Sequence, residues 1–248
     1  MIDLKRSAIY TNLGVFEVAA ACGNFESGTI LQKVTETGTT KLTICDGTAP
    51  AGIAKFDNMS GMVGVIVGEA ITFPLAGGAN VSVTLKHPSL VASMYKVESA
   101  IGGANYAEGA GADYTMNTVN GVITRVNATS TIPDGGTVYV TYKWNKTDAE
   151  IDAGEYPYGL IGGRNLRNSL DDVVGSNRMT LIQGFSIVVT TCYNTTEDYT
   201  VNKKLYSDAN GLFTMVAGGN PQIGTVHSIP NAGDVFLGVE LQGFVPGI

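Results

Sequence analysis

Asp113-Tyr114-Thr115-Met116-Asn117-Thr118-Val119-Asn120-Gly121-Val122-Ile123-Thr124-Arg125 is the stretch that decides the fold class. Polar and apolar residues alternate on both sides of Asn120-Gly121. Alternation with period two places successive side chains on opposite faces of a strand. Asn-Gly between two such runs is a strong hairpin signal, because a two-residue type I′ turn needs positive φ at both central positions. The pattern therefore predicts a hairpin turning at Asn120-Gly121. Further along, Pro133-Asp134-Gly135-Gly136 is a second turn, and Thr137 to Trp144 alternates again. Val138, Val140 and Tyr142 are expected on one face of that strand, with Tyr139, Thr141 and Lys143 on the other. Turn signals at about ten-residue intervals predict a small β-sandwich spanning residues 78–146.

Period two extends outward from this segment. Phe16, Val18, Ala20 and Cys22 share one face of an N-terminal strand. Lys41 to Cys45 alternates and stops at Asp46-Gly47. Val63 to Val67 and Ala70 to Phe73 follow, closed by Pro74. One short helix is expected between Asn165 and Val174, where Leu166, Leu170 and Val173 approach helical spacing. The two ends of the chain also echo each other. Gly14, Val18 and Cys22 match Gly184, Val188 and Cys192, and Val65-Ile66-Val67-Gly68 matches Val235-Phe236-Leu237-Gly238. Lys33, Gly38, Pro50 and Gly52 match Lys204, Gly211, Pro221 and Gly224 with a small drift in register, as loops allow. Chance is the competing reading, since glycine is common here. The expectation is an all-β chain. A body is built by an N-terminal β module (1–77) and a C-terminal one (147–248), as a possible duplicated module, and it carries an inserted immunoglobulin-like sandwich (78–146).

Composition agrees with short strands and glycine turns. The 248 residues include 32 glycines, and only 15% are charged, against about 25% in ordinary soluble domains. A net charge of −7 with no basic stripe argues against nucleic acid as a partner. No run approaches the roughly 18 apolar residues of a membrane helix, so no membrane is expected. Met1-Ile2-Asp3-Leu4-Lys5-Arg6 is polar and does not resemble a secretory leader. Synthesis in a cytoplasm is therefore expected. Cys22, Cys45 and Cys192 are too scattered for a disulfide framework or a zinc knuckle, and reduced packed thiols are expected.

Two stretches resemble proteins of phage virions. Asp113-Tyr114, Asn120-Gly121, Ile123-Thr124, Ile132-Pro133, Gly136 and Val138-x-Val140-x-Tyr142 are similar to an immunoglobulin-like module common there. Ala51-Gly52-Ile53-Ala54 and Val65 to Pro74 resemble small phage head-decoration (cement) proteins. The resemblance implies a virion surface protein on the capsid exterior, whose partners are the major capsid protein of the assembled shell and, as a further option, a second copy of the chain itself. Met1 to Asn12 has no core pattern and is expected to be an arm, with Lys5, Arg6 and Tyr10 as candidate capsid contacts.

Catalytic chemistry is sparse in the sequence. His87 precedes Pro88 in an expected loop and His227 sits beside a strand, neither within a recognised nucleophile or metal motif. Asp148, Glu150 and Asp152 would share a strand face and offer oxygen ligands to calcium, but they lack the glycine and terminal Glu of a calcium loop. A solvated linker is the better expectation. Gly159 to Arg164 is glycine-rich without the Lys-Ser/Thr of a phosphate loop. No cofactor and no enzymatic activity are expected. The alternatives are a phage tail, baseplate or fibre protein, and a carbohydrate-binding adhesin that would use Tyr142 with Trp144 or Tyr156 with Tyr158.

Overall fold

The structure is a computed structural model that describes residues 2–7, 12–23, 25–54, 63–147, 149–150 and 178–242. Every named element among them is a strand, and Ala149 and Glu150 have helical backbone. In chain order the strands are β1 (Ile2–Ser7), β2 (Asn12–Val18), β3 (Ile30–Glu36), β4 (Thr39–Ile44), β5 (Pro50–Ala54), β6 (Val63–Thr72), β7 (Val81–Thr84), β8 (Leu90–Glu98) and β9 (Tyr114–Asn117). They continue with β10 (Val122–Arg125), β11 (Thr137–Asn145), β12 (Arg178–Gln183), β13 (Phe185–Thr190), β14 (Lys204–Ser207), β15 (Phe213–Thr214), β16 (Gly224–Ser228) and β17 (Leu237–Gln242). The all-β expectation holds. The helix expected between Asn165 and Val174 lies outside the described residues. The chain divides into two compact units, one formed by residues 63–146 with 231–235 and the other by the remainder.

The middle unit contains two three-stranded sheets, β6-β11-β8 and β7-β10-β9. Residues from both, including Ile71, Val97, Tyr114, Ile123, Val138, Val140 and Tyr142, form one buried apolar cluster. Its boundary is at Val63, not Gly78. β6 pairs with β11 from Thr72↔Thr137 to Val63↔Asn145, so the strand assigned by sequence to the end of the N-terminal module opens this unit. β11 lies between two neighbours, and Thr141 and Lys143 on its second face are buried with the first. Thr141 Oγ1 accepts the amide of Gly68 at 3.1 Å, where β6 bulges.

The hairpin forms, but its turn is longer than expected. Asn117 pairs with Val122, leaving Thr118 to Gly121 as a four-residue turn. Gly121 has φ +63°, while Asn120 is not among the positive-φ residues. Asn117 Oδ1 accepts the amides of Val119 and Asn120 at 3.1 and 3.2 Å. That side-chain cap makes the I′ geometry unnecessary.

The other unit holds two rings of strands with the same pairing scheme. The first is a closed barrel, β12-β2-β4-β3-β5. Its first strand β2 runs parallel to β4 (Glu17↔Lys41) and antiparallel to β12. β3 is antiparallel to both β4 and β5, and β12 is antiparallel to β5. In the second, β14 is antiparallel to β15 and β16, and β17 is antiparallel to β16 and β13. A parallel bridge, Tyr193↔Phe213, completes it just after β13. Strand for strand, β2, β3, β4, β5 and β12 therefore correspond to β13, β14, β15, β16 and β17.

This correspondence revises one detail of the sequence repeat. The counterpart of β17 is β12, whereas Val65 to Gly68 belongs to the middle unit. The chain leaves the first ring after Ala54 and returns to it at Arg178, with the middle unit lying in that interval. In the second ring the same connection is only residues 229–236. Leu31, Leu42 and Leu181 are fully buried in the first ring, and Leu205, Phe213, Val226, Leu237 and Val239 are fully buried in strands of the second or beside them. Gly184 (φ +102°) is the only residue between β12 and β13. It turns the last strand of one ring into the first strand of the next.

Candidate interaction surface

The N-terminal segment is not an unattached arm. Ile2 to Ser7 pairs with β13 from Ile2↔Thr190 to Ser7↔Ser186. The register skips between Leu4↔Val188 and Arg6↔Ile187, so Lys5 is the extra residue of a β-bulge. Bulges and Lys or Arg on an outer strand are devices that discourage edge pairing. Tyr10 and the side chains of Lys5 and Arg6 lie outside the described residues.

Asp148 and Asp152 also lie outside them. Glu150 does not sit on a strand face. Ala149 and Glu150 have helical backbone, and Glu150 Oε2 accepts the amide and hydroxyl of Thr147 at 2.8 and 3.0 Å. The Glu150 amide reaches back to Thr147 Oγ1. This reciprocal pair is a capping box. Among the described residues, no group of three His, Cys, Asp or Glu is placed to hold a metal ion.

His87 stacks on Trp144, with ring centroids 3.9 Å apart. Tyr142 and Trp144 are buried, so they offer no aromatic platform at the surface. Tyr156, Tyr158 and Gly159 to Arg164 are outside the described residues. His227 is exposed within β16. Cys22, Cys45 and Cys192 are free thiols, and Cys192 Sγ donates to Ser27 O at 3.4 Å.

The middle unit has a better-formed surface than any single residue flagged by the sequence. Its chain enters and leaves at one end, where Val63 pairs with Asn145. Beyond Thr72↔Thr137, the connections 73–80, 99–113 and 126–136 are tied to one another. Arg125, at the end of β10, is buried. Its Nε donates to Ile132 O at 2.8 Å and its Nη1 to Asn127 Oδ1 at 3.0 Å. Asn127 in turn donates to Asn80 Oδ1 and Gly78 O, each at 2.9 Å. Asp134 Oδ1 accepts the amide of Ala76 at 2.9 Å.

Asp113 joins the second pair of connections. Its Oδ1 accepts the amide and hydroxyl of Thr131 at 2.5 and 2.7 Å, and its Oδ2 the amide of Ala107 at 2.8 Å. Burial alone would raise the Asp113 carboxyl, but these hydrogen bonds to the charged form outweigh it, and the net shift is downward. On β8, burial raises the Tyr95 hydroxyl to about 12, assisted by Glu108, whose two carboxylate oxygens each accept from it at 2.9 Å.

Two apolar side chains stand out on these connections: Leu75 is 81% exposed and Ile101 47%. Ordered, mutually bonded loops on a rigid sheet frame suit binding, because little conformational entropy is lost on contact. One local signal of this network was legible beforehand, a charged Arg125 on the same strand face as the core residue Ile123. The partners of Arg125 and Asp113 come from separate loops, which no local pattern links.

A comparison with protein-family models found no match, and neither did comparisons with curated proteins and with solved structures.

Proposed function

We propose that this protein is a structural, non-enzymatic virion component that binds and stabilises the outer surface of an assembled phage capsid, with the major capsid protein as its partner. The observation that carries this reading is the repetition of one five-strand pairing scheme in a single chain. Two like bodies present like surfaces twice, which is what bridging two equivalent subunits of a repeating shell requires. Once the first ring is bound, the second contact is intramolecular and gains from a high effective concentration. Each contact alone then needs less than the roughly 1,000 Å² of a stable pair. The resemblance of the middle segment to an immunoglobulin-like virion module, and of residues 51–74 to head-decoration proteins, supplies the viral context. Lys5 and Arg6 on the bulged outer strand, with Tyr10 after them, are the proposed capsid contacts in this acidic chain.

The test is co-sedimentation with assembled shells and, in parallel, with dissociated shell subunits. Strong binding to shells and weak binding to free subunits is expected, with reduced occupancy for Lys5→Ala/Arg6→Ala at an unchanged melting temperature. Equal binding to both forms would contradict a lattice-reading decoration protein and favour a tail, baseplate or fibre component.

A further inference from the structure

The two rings differ at one edge, and that difference points to a partner. β13 carries β1 on one edge and β17 on the other: Val188, for example, pairs with both Leu4 and Val239. β2 carries β12 on the edge that corresponds to β17. Its opposite edge is met by β4 only at Glu17 and Val18, followed by the Ala19 amide donating to Leu42 O at 2.8 Å. Among the described residues, nothing pairs with this edge from Asn12 to Phe16. In the second ring the same edge is covered by an antiparallel strand.

We propose that the open edge of β2 is a self-association surface, at which a second copy of this chain pairs its own Asn12 to Phe16 antiparallel across a two-fold axis. Three observations favour that occupant. The covered edge in the second ring shows that this position takes an antiparallel strand. An isologous two-fold contact satisfies that requirement with one sequence on both sides. The guards usual on exposed edges are also missing here. Asn12-Leu13-Gly14-Val15-Phe16 has no Lys, Arg or Pro and pairs with β12 without a bulge, whereas the outer strand β1 has a bulge with Lys5 and Arg6. Main-chain groups alternate between the two edges of a strand. Ala19 donates toward β4, so Val15 and Leu13 direct their amides and carbonyls to the open side. This inference rests on the strand pairing alone and is independent of any capsid role.

Two measurements on the full chain test it. Sedimentation equilibrium from about 1 to about 100 µM, a range that brackets moderate homodimer affinities, should show a monomer–dimer equilibrium. Over the same range, hydrogen exchange of peptides covering residues 12–16 should slow as the dimer fills. Val15→Pro removes an amide on the open side, where an edge strand tolerates proline, and should abolish the dimer with the fold retained. A monomer at every concentration overturns the inference. So does a dimer in which residues 12–16 exchange as fast as in the monomer, or one that persists in a folded Val15→Pro variant. If Val15→Pro fails to fold, the concentration dependence of exchange in the unaltered chain decides alone.

Discussion

Replacing Arg125 by Met should destabilise the middle unit by about 2–4 kcal/mol. The guanidinium side chain is 7% exposed and makes two close hydrogen bonds, to Ile132 O and Asn127 Oδ1. Hydrogen bonds from a charged donor contribute roughly 1.5–3 kcal/mol each. Ile132 is itself 1% exposed, so its carbonyl loses a partner in a site where water is scarce. The contact with Asp134 adds little, since it spans 3.8 Å to a carboxylate that is 40% exposed. Relief from desolvating the charge offsets part of the loss. The chain has a single tryptophan, Trp144 in β11, so its fluorescence follows unfolding of the middle unit specifically. With a urea slope of roughly 1–3 kcal/mol per molar for a unit of this size, the fluorescence midpoint should fall by about 1–2 M. Arg125→Lys should lose most of the same stability, because a point ammonium cannot satisfy both directions of the fork. An unchanged midpoint in Arg125→Met would refute the assignment of Arg125 as the tie between β10 and the 126–136 connection.

Three further outcomes are expected. The Asp113 carboxyl lies below its ordinary value in the folded state. Its stabilisation should be complete above the ordinary aspartate range, about pH 4, and be lost as pH falls through the lowered folded value. The fluorescence midpoint should therefore drop more between about pH 5 and pH 3 in the unaltered chain than in Asp113→Asn. Gly64→Ala would place a methyl 2.2 Å from the Trp144 ring. It should cost about 1–3 kcal/mol or more by overpacking, read as a lower midpoint together with an altered Trp144 emission. Excision of residues 63–146, bridged by a short Gly/Ser linker, should leave a folded body, because Val63 and Asn145 are paired neighbours. A remainder without a cooperative thermal transition would show that the middle unit is integral to the first ring.

The sequence made individual strands legible where alternation was strict and turns were marked by Gly or Asp, as from Val122 to Trp144. It was less informative about which strands pair. β6 is as apolar and regular as a strand closing the N-terminal module would be, and only its register with β11 places it in the middle unit. The repeat was visible through Gly14, Val18 and Cys22, but its fifth strand was misplaced, since β12 lies far along the chain from β5. Such non-local pairing leaves no local trace. Asn120-Gly121 announced a hairpin, yet the competing Asn117 side-chain cap lengthened its turn. Alternation separated Thr141 and Lys143 from the face of Val138, Val140 and Tyr142, but it could not show that both faces of β11 are buried there. Met1 to Asn12 read as an arm for a related reason: Ile2 to Ser7 draws its stability from β13, far away in sequence.

The proposed capsid role is tested most directly by cryo-electron microscopy of phage virions incubated with this protein. Density is expected on the outer shell in which the two rings of one chain sit over two neighbouring capsid subunits, touching equivalent surfaces on each. Density in which only one ring meets the shell, or in which the protein is found on the tail and not on the capsid, would contradict it.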